Sequence, residues 1–427
     1  MIGKLAGVVG SRFLGAGLGF ASQFVLARLL PVEDVGVVFL AMSSAAFISL
    51  ALIGGYAMLA LTQVPRLMEL GKPKLLRQFH QSALWDAGVM LLVTALVVGL
   101  AIWSGHFTHG QKLALLFGLI SAPVSGLLRY NSVIANSLRR FELSYVPDFL
   151  VRPVLLLAGL LVPWALGLPF GVVAVLILFV SIVYVVALGQ GVMLGRDNLL
   201  VMGLHKPRKR FAAALRGRVV SLTIVSAVAL AFADIVTLVS GLILPEHDVA
   251  VVGVCVRLAA IAGFVLQAGQ QFILPDLTQA LVRREDRLAH SLLMKINLTT
   301  LAVIGAALVG ALLLGGFVLG FFGPDYVGGA QLLVLFIVGQ AVRGLGGMNQ
   351  HLLSLDGKQM RTAGACLLAL VIFVCLAVLF CKTMGAIGMG YAVVISEIAW
   401  QLALAAQAQK LTGRRGDLLW LAHNPAR

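Results

Sequence analysis

Residues 30–38 read LPVEDVGVV and residues 244–252 read LPEHDVAVV, an offset of 214 positions in a chain of 427. Each is a short polar turn opened by a proline, Pro31 or Pro245, and each separates two long apolar runs. The flanking runs are residues 8–30 and 36–61 in the first copy, and 218–243 and 249–272 in the second. At about 1.5 Å per residue, each run is long enough to cross a hydrocarbon core of about 30 Å. One turn recurring half a chain later between membrane-length runs predicts a duplicated bundle of transmembrane helices.

The rest of the chain fits that reading. It is 60% hydrophobic and 11% charged, with a mean hydropathy of +1.01. A soluble domain carries roughly 25% charged residues, and no soluble fold of this length has enough interior for so much apolar surface. Beyond the four runs already given, eight more are predicted over 83–104, 112–136, 149–166, 169–192, 293–320, 328–351, 362–382 and 386–408. The fifth in chain order, 149–166, is the shortest. The runs are continuous in hydropathy, whereas a membrane barrel would alternate over segments of about ten residues. The predicted fold class is therefore an all-α polytopic membrane protein with twelve spans. The N-terminal run, interrupted by Arg12, is read as a retained first helix instead of a cleaved signal.

Charge predicts the orientation. The net charge is +15, and the basic residues gather on one set of alternate connections. Arg66, Lys72, Lys74 and Arg77 lie there, as do Arg139, Arg140 and the HKPRKR run of residues 205–210. Arg283, Arg284 and Arg287 fall on the same set, while the opposite connections hold Lys112 and Lys382, with Arg28 at a helix end. Positive-inside bias then puts both termini in the cytoplasm, in agreement with an even number of crossings. On this reading the basic surplus serves membrane topology, and no nucleic-acid partner is expected.

The organisation follows as an N-terminal six-helix lobe over 1–194, a basic cytoplasmic linker over 195–217, a C-terminal six-helix lobe over 218–410 and a cytoplasmic tail over 411–427. A second set of matches supports the duplication: Pro65, Arg77 and His80 recur as Pro275, Arg287 and His290. An even number of crossings separates the copies, so the lobes are predicted to be parallel repeats about a pseudo-two-fold along the membrane normal. Two such lobes make a transporter architecture, with substrate between them and rocking that exposes it to each side in turn.

Charges inside the runs mark the candidate chemistry, because a mid-membrane charge costs about 2.5–3.5 kcal/mol unless it is paired or hydrated. Asp234 and Arg257 lie at matching depths on either side of the Pro245 turn and are candidates for an ion pair or a shared cavity wall. Arg129 opens a polar stretch with Asn131, Ser132 and Asn136, Arg152 lies one turn inside the fifth run, and Arg343 lies in the tenth. Guanidinium groups facing a cavity would suit a diphosphate, since arginine donates forked hydrogen bonds to phosphate oxygens. The other reading of these arginines is snorkelling to the interface. Glu397, the only acid of the twelfth run, is either a proton carrier or a partner of Gln401 one turn on. Cys255, Cys366, Cys375 and Cys381 have no metal-ligand spacing and read as small buried hydrophobes.

The chain carries no nucleophile elbow, zinc-protease or phosphate-loop signature, and the outer connections are too small for an enzyme site. No enzymatic activity and no cofactor are expected. Energy for transport would come from an ion gradient, with H+ or Na+ both open, from the membrane potential or from the substrate gradient.

Several short stretches resemble bacterial polysaccharide transporters. Ala27-Arg28-Leu29-Leu30 followed by Gly36 is similar to the family's A-R-x-L-x-x-x-x-x-G at the end of the first helix. Phe322-Gly323-Pro324-Asp325-Tyr326 resembles its F-G-x-x-Y turn. Asp234 ahead of the Pro245 turn and Arg257, and Pro275 leading into Arg283–Arg287, resemble its seventh and eighth helices and the connection that follows. The resemblance implies a flippase of the multidrug/oligosaccharidyl-lipid/polysaccharide superfamily in the bacterial inner membrane. Its cargo would be an undecaprenyl-diphosphate-linked oligosaccharide repeat unit destined for O-antigen, capsule or exopolysaccharide. Glycosyltransferases and a polysaccharide polymerase would be its partners. Arg129, Arg152, Arg257, Arg343 and Asn131 are the residues that would hold diphosphate and sugar, with Asp234 and Glu397 in coupling or gating. The lipid II branch usually has fourteen helices against twelve here. The multidrug branch often has an acid inside helix one or two, where this chain has Glu33 and Asp34 in the turn between them. A cation-coupled multidrug exporter of the same superfamily is the alternative.

Overall fold

A computed structural model describes residues 2–167, 170–197, 209–283, 285–355 and 359–423, with side chains described from Leu14 onward apart from a few positions. Residues 198–208 of the basic linker, including Lys206 and Arg208, lie outside the described residues, as do Arg284, Lys358 and Arg427. The described residues are helical throughout, with no strand. Continuous helix is what lipid demands, since every backbone N–H and C=O must find its partner within the segment.

The chain divides into two compact units, Met1–Ala250 and Val251–Arg427. In the first, α1 runs Ile2–Leu29, α2 Val32–Glu69, α3 Pro73–Trp103 and α4 His109–Ser137. There follow α5 (Phe141–Val146), a π-helical turn (Pro147–Val151), α6 (Arg152–Ala165), α7 (Val172–Leu194) and α8 (Lys209–Ile243). Helix α9 (Glu246–Val282) begins in this unit and continues into the second. The second unit goes on with α10 (Asp286–Gly320), a 3-10 turn at Pro324–Gly329, α11 (Ala330–Leu345), α12 (Asn349–Leu355), α13 (Gln359–Met384), α14 (Ala386–Thr412) and α15 (Leu418–His423). Each predicted run falls on helical structure, the tenth, 328–351, being broken after Leu345, and against the twelve spans expected eleven helices are long and apolar enough to span a membrane among the described residues.

The two quoted turns fold alike. Helix α2 starts directly after Pro31 and α9 directly after Pro245, and in each the amide four residues on closes the first turn: Val35 N to Pro31 O and Val249 N to Pro245 O, both 3.1 Å. Proline needs no donor there and its fixed φ suits a helix start.

Three local features depart from the hydropathy reading. Helix α3 begins at Pro73, ten residues before the predicted 83; its first turns mix Leu75, Leu76 and Phe79 with polar and basic residues and so form no continuous apolar run. The short fifth run is the end of a longer helical segment from Phe141, which widens into a π turn between Pro147 and Pro153. Neither proline supplies an N–H, so the regular ladder is interrupted. Helix α8 is broken at Ala231 (φ −119°, ψ 18°), three residues before Asp234.

In the first unit α2 is the central helix, buried over most of its length against α4 and α8. Small residues permit that approach: a Cβ at Gly55 would stand 2.1 Å from the Val219 carbonyl oxygen of α8, and one at Gly36 equally close to that of Glu246. Helix α8 therefore packs with the N-terminal helices, although the repeat makes it the first helix of the second half. In the second unit α11 packs on α10 and α14, and α14 on α13.

Candidate functional site

Helix α4 is anchored at its start by a capping box, in which Thr108 Oγ1 accepts from Gln111 N and Gln111 Oε1 from Thr108 N. Thr108 also hydrogen-bonds Glu246 at the start of α9, and Gln111 Nε2 donates to the Gly241 carbonyl of α8 at 2.8 Å. Further along, α4 passes through Arg129, Tyr130, Asn131 and Ser132. Tyr130 and Asn131 are fully buried. Ser132 accepts from Gln190 Nε2 of α7 at 2.9 Å.

Arg129 stands eight residues before the end of α4 at Ser137, about 12 Å along the axis. Its Nε is buried and lacks a hydrogen-bond partner, and no carboxylate lies within 4.0 Å of its guanidinium among the described residues. The side chain is half-buried, and a charge within an apolar helix is costly unless it is paired or hydrated.

The other predicted arginines are engaged. Arg152, one helical turn beyond Asp148, pairs with it at 3.1 Å and covers the Phe179 ring at 5.2 Å. Arg257 Nη1 donates to the Gly253 carbonyl one turn back at 3.1 Å. Arg343, in the last turn of α11, reaches Glu397 of α14 at 3.0 Å, and its guanidinium lies 4.8 Å from the Trp400 ring. The Glu397 side chain is 2% exposed and that of Arg343 16%, so this is a buried ion pair roofed by an aromatic face. Gln401 sits one turn beyond Glu397 on the same helix face. Asp234 accepts from Ser43 Oγ of α2 at 3.2 Å, just below the break in α8. Asp234 and Arg129 belong to the first unit, and Arg257, Arg343 and Glu397 to the second.

Two groupings were not foreseen from sequence. Asp86, which a helix starting at residue 83 puts at an end, lies well inside α3, where it accepts from Tyr56 Oη at 2.7 Å and pairs with Arg216 of α8 at 3.1 Å. Nearby, a 2.8 Å hydrogen bond joins His80 Nδ1 to Tyr130 Oη, with the two rings edge to face. Four helices, α2, α3, α4 and α8, are thus tied by polar side chains at an apolar cluster. The recurrence of His80 as His290 was the available signal. The partners, 30 to 130 residues away in the chain, left none. No group of three or more metal-binding side chains occurs among the described residues.

No protein-family model matches the chain, and no curated protein matches it. Solved structures do. An inward-facing multidrug resistance MATE family transporter of the MOP superfamily superposes with a TM-score of 0.71 and 15% identity, over 98% of this chain and 100% of that one. The lipid II flippase MurJ in an inward closed conformation gives 0.68 and 16%, over 94% and 87%. A MATE structure in a straight conformation gives 0.58 and 14%, over 98% and 96%. The chain therefore has the two-lobed, all-α polytopic membrane fold of these transporters and flippases. At such identities the likeness defines architecture, and function has to be argued from the side chains.

Proposed function

We propose that this protein is a flippase of the multidrug/oligosaccharidyl-lipid/polysaccharide superfamily. It carries undecaprenyl-diphosphate-linked oligosaccharide repeat units across the bacterial inner membrane by alternating access, for surface polysaccharide such as O-antigen or exopolysaccharide. The observation that carries this reading is Arg129, a guanidinium within a membrane-length helix with no acidic partner among the described residues. A diphosphate supplies the missing negative charge through forked hydrogen bonds. The Ser132–Gln190 pair supplies polar groups on the same stretch of helix, whereas Asn131 is fully buried. The positive-inside distribution supports cytoplasmic termini, the side on which lipid-linked precursors would be loaded. Arg152, Arg257 and Arg343 make contact with cargo only by exchanging their present partners, which makes Arg129 the primary anchor and the others secondary.

The reading is tested in a strain lacking the gene and producing a known surface polymer. Arg129→Ala should abolish the polymer at unchanged membrane abundance, and Arg129→Lys should restore part of it, a point charge lacking the fork. Normal polymer with Arg129→Ala would overturn the assignment.

A second reading, cation-coupled multidrug export, is favoured by the fold match to a multidrug transporter and by the buried carboxylate of Glu397. It predicts that the deletion strain becomes sensitive to cationic dyes while its polymer stays intact.

A further inference from the structure

In the first unit the fourth span is one unbroken helix, α4, and His80 of α3 bonds to its Tyr130. The corresponding helix of the second unit is broken. Helix α11 stops at Leu345, Gly347 adopts a left-handed conformation (φ +62°), and α12 restarts at Asn349. The repeat-related histidine, His290 of α10, has a different partner: its Nε2 donates to the Leu421 carbonyl, 3.1 Å away in the C-terminal segment.

That segment is folded back onto the break. Thr412 ends α14, Gly413 turns the chain with φ +69°, and Gly416 then lies so close to Gly347 that a Cβ there would stand 2.0 Å from its carbonyl oxygen. The contact is held by backbone and buried amides. Gly416 N donates to Asn349 Oδ1 at 2.8 Å, and Asn297 Nδ2 of α10 donates to Gly416 O at 2.9 Å. Asn349 Nδ2 also reaches Asp417 Oδ2 at 3.3 Å. Asp417, 5% exposed, takes a bidentate pair from Arg415 at 2.7 and 2.9 Å and caps α15 through Trp420 N at 3.1 Å. Leu421 completes the apolar cluster under Met348 and Leu352. The outer clasp, Arg414 to Asp286 at 3.0 Å, is largely exposed and screened by solvent.

We propose that residues 413–423 form a C-terminal strap that holds the α11–α12 break in its bent form, so that this end of the second lobe rearranges only when the strap releases. Its buried polar anchors converge on Asn349, Gly416 and Asp417, Leu421 adds an apolar contact and the His290 hydrogen bond, and Gly413 is the one swivel. A segment of that kind opens as a unit instead of residue by residue.

Amide hydrogen exchange of the full chain in lipid nanodiscs tests this without any transport substrate, so its failure is separate from failure of the proposed function. Residues 346–355 and 413–423 should exchange together in the wild type. Asp417→Ala should speed both by about tenfold or more, the loss expected for a buried charge-assisted cap, and leave α2 and α4 unchanged. Removal of everything after Thr412 should do the same for 346–355. Arg414→Ala, which cuts only the exposed clasp, should change exchange less than about threefold. Unchanged exchange of 346–355 in Asp417→Ala, or in the truncated chain, would overturn the strap.

Discussion

Replacing Arg343 by alanine isolates the buried pair of the second unit. The substitution removes a guanidinium 3.0 Å from Glu397 Oε1 and 4.8 Å from the Trp400 ring, and leaves behind a carboxylate whose side chain is 2% exposed. Breaking such a pair from one side costs about 3–5 kcal/mol, because the remaining charge is desolvated with nothing to offset it. The lost cation–π contact adds about 0.5–2 kcal/mol. Glu397→Gln removes the charge but keeps a polar partner, and should cost less. The double variant Arg343→Met with Glu397→Leu fills similar volume and leaves no orphan, so its stability should return to within about 1 kcal/mol of wild type or exceed it. Thermal unfolding in detergent, followed by tryptophan fluorescence, gives the order directly: Arg343→Ala lowest, the double variant near wild type. An Arg343→Ala protein within about 1 kcal/mol of wild type, or a double variant no better than the single, would refute the reasoning that the pair is desolvated and mutually dependent.

Two further outcomes follow from packing in the first unit. Gly55→Ala drives a Cβ to within 2.1 Å of the Val219 carbonyl oxygen and 2.4 Å of Thr223 Oγ1, so α2 and α8 must separate. An overpacking loss of about 1–3 kcal/mol should appear as a lower unfolding temperature. Tyr130→Phe keeps the ring but removes the hydroxyl from His80, whose side chain is buried, and should cost about 1–3 kcal/mol in the same assay. An unfolding temperature equal to wild type in either variant would contradict the corresponding contact.

Much of the architecture could be read from sequence because lipid makes one demand of every spanning segment. The apolar runs around Pro31 and Pro245 had to be helices, and proline at each turn fixed where the next helix began. The same criterion fails where polar residues break up an apolar run: the first ten residues of α3 interleave Leu75, Leu76 and Phe79 with Lys74, Arg77, Gln78, His80 and Gln81, so a helix start at 83 puts Asp86 at an end although it lies inside the helix, bonded to Tyr56 and Arg216. The residues read as a C-terminal tail carry polar and basic groups with no apolar period, yet 413–423 are held by Asn349 and Asn297, contacts no local pattern announces. Arg129, Arg152 and Arg343 look alike as isolated cations in apolar runs. Asp148, one turn before Arg152, was a legible partner, whereas Glu397 lies 54 positions beyond Arg343 on another helix.

The sequence alone determined the class of fold, through the length and continuity of its apolar runs, and the existence of two related halves. Only the tertiary structure decided which charges are answered. Hydropathy is a sum over neighbours in the chain, whereas the counter-charge of a buried group comes from whichever helix packs beside it, and that choice is made by side-chain fit across the bundle.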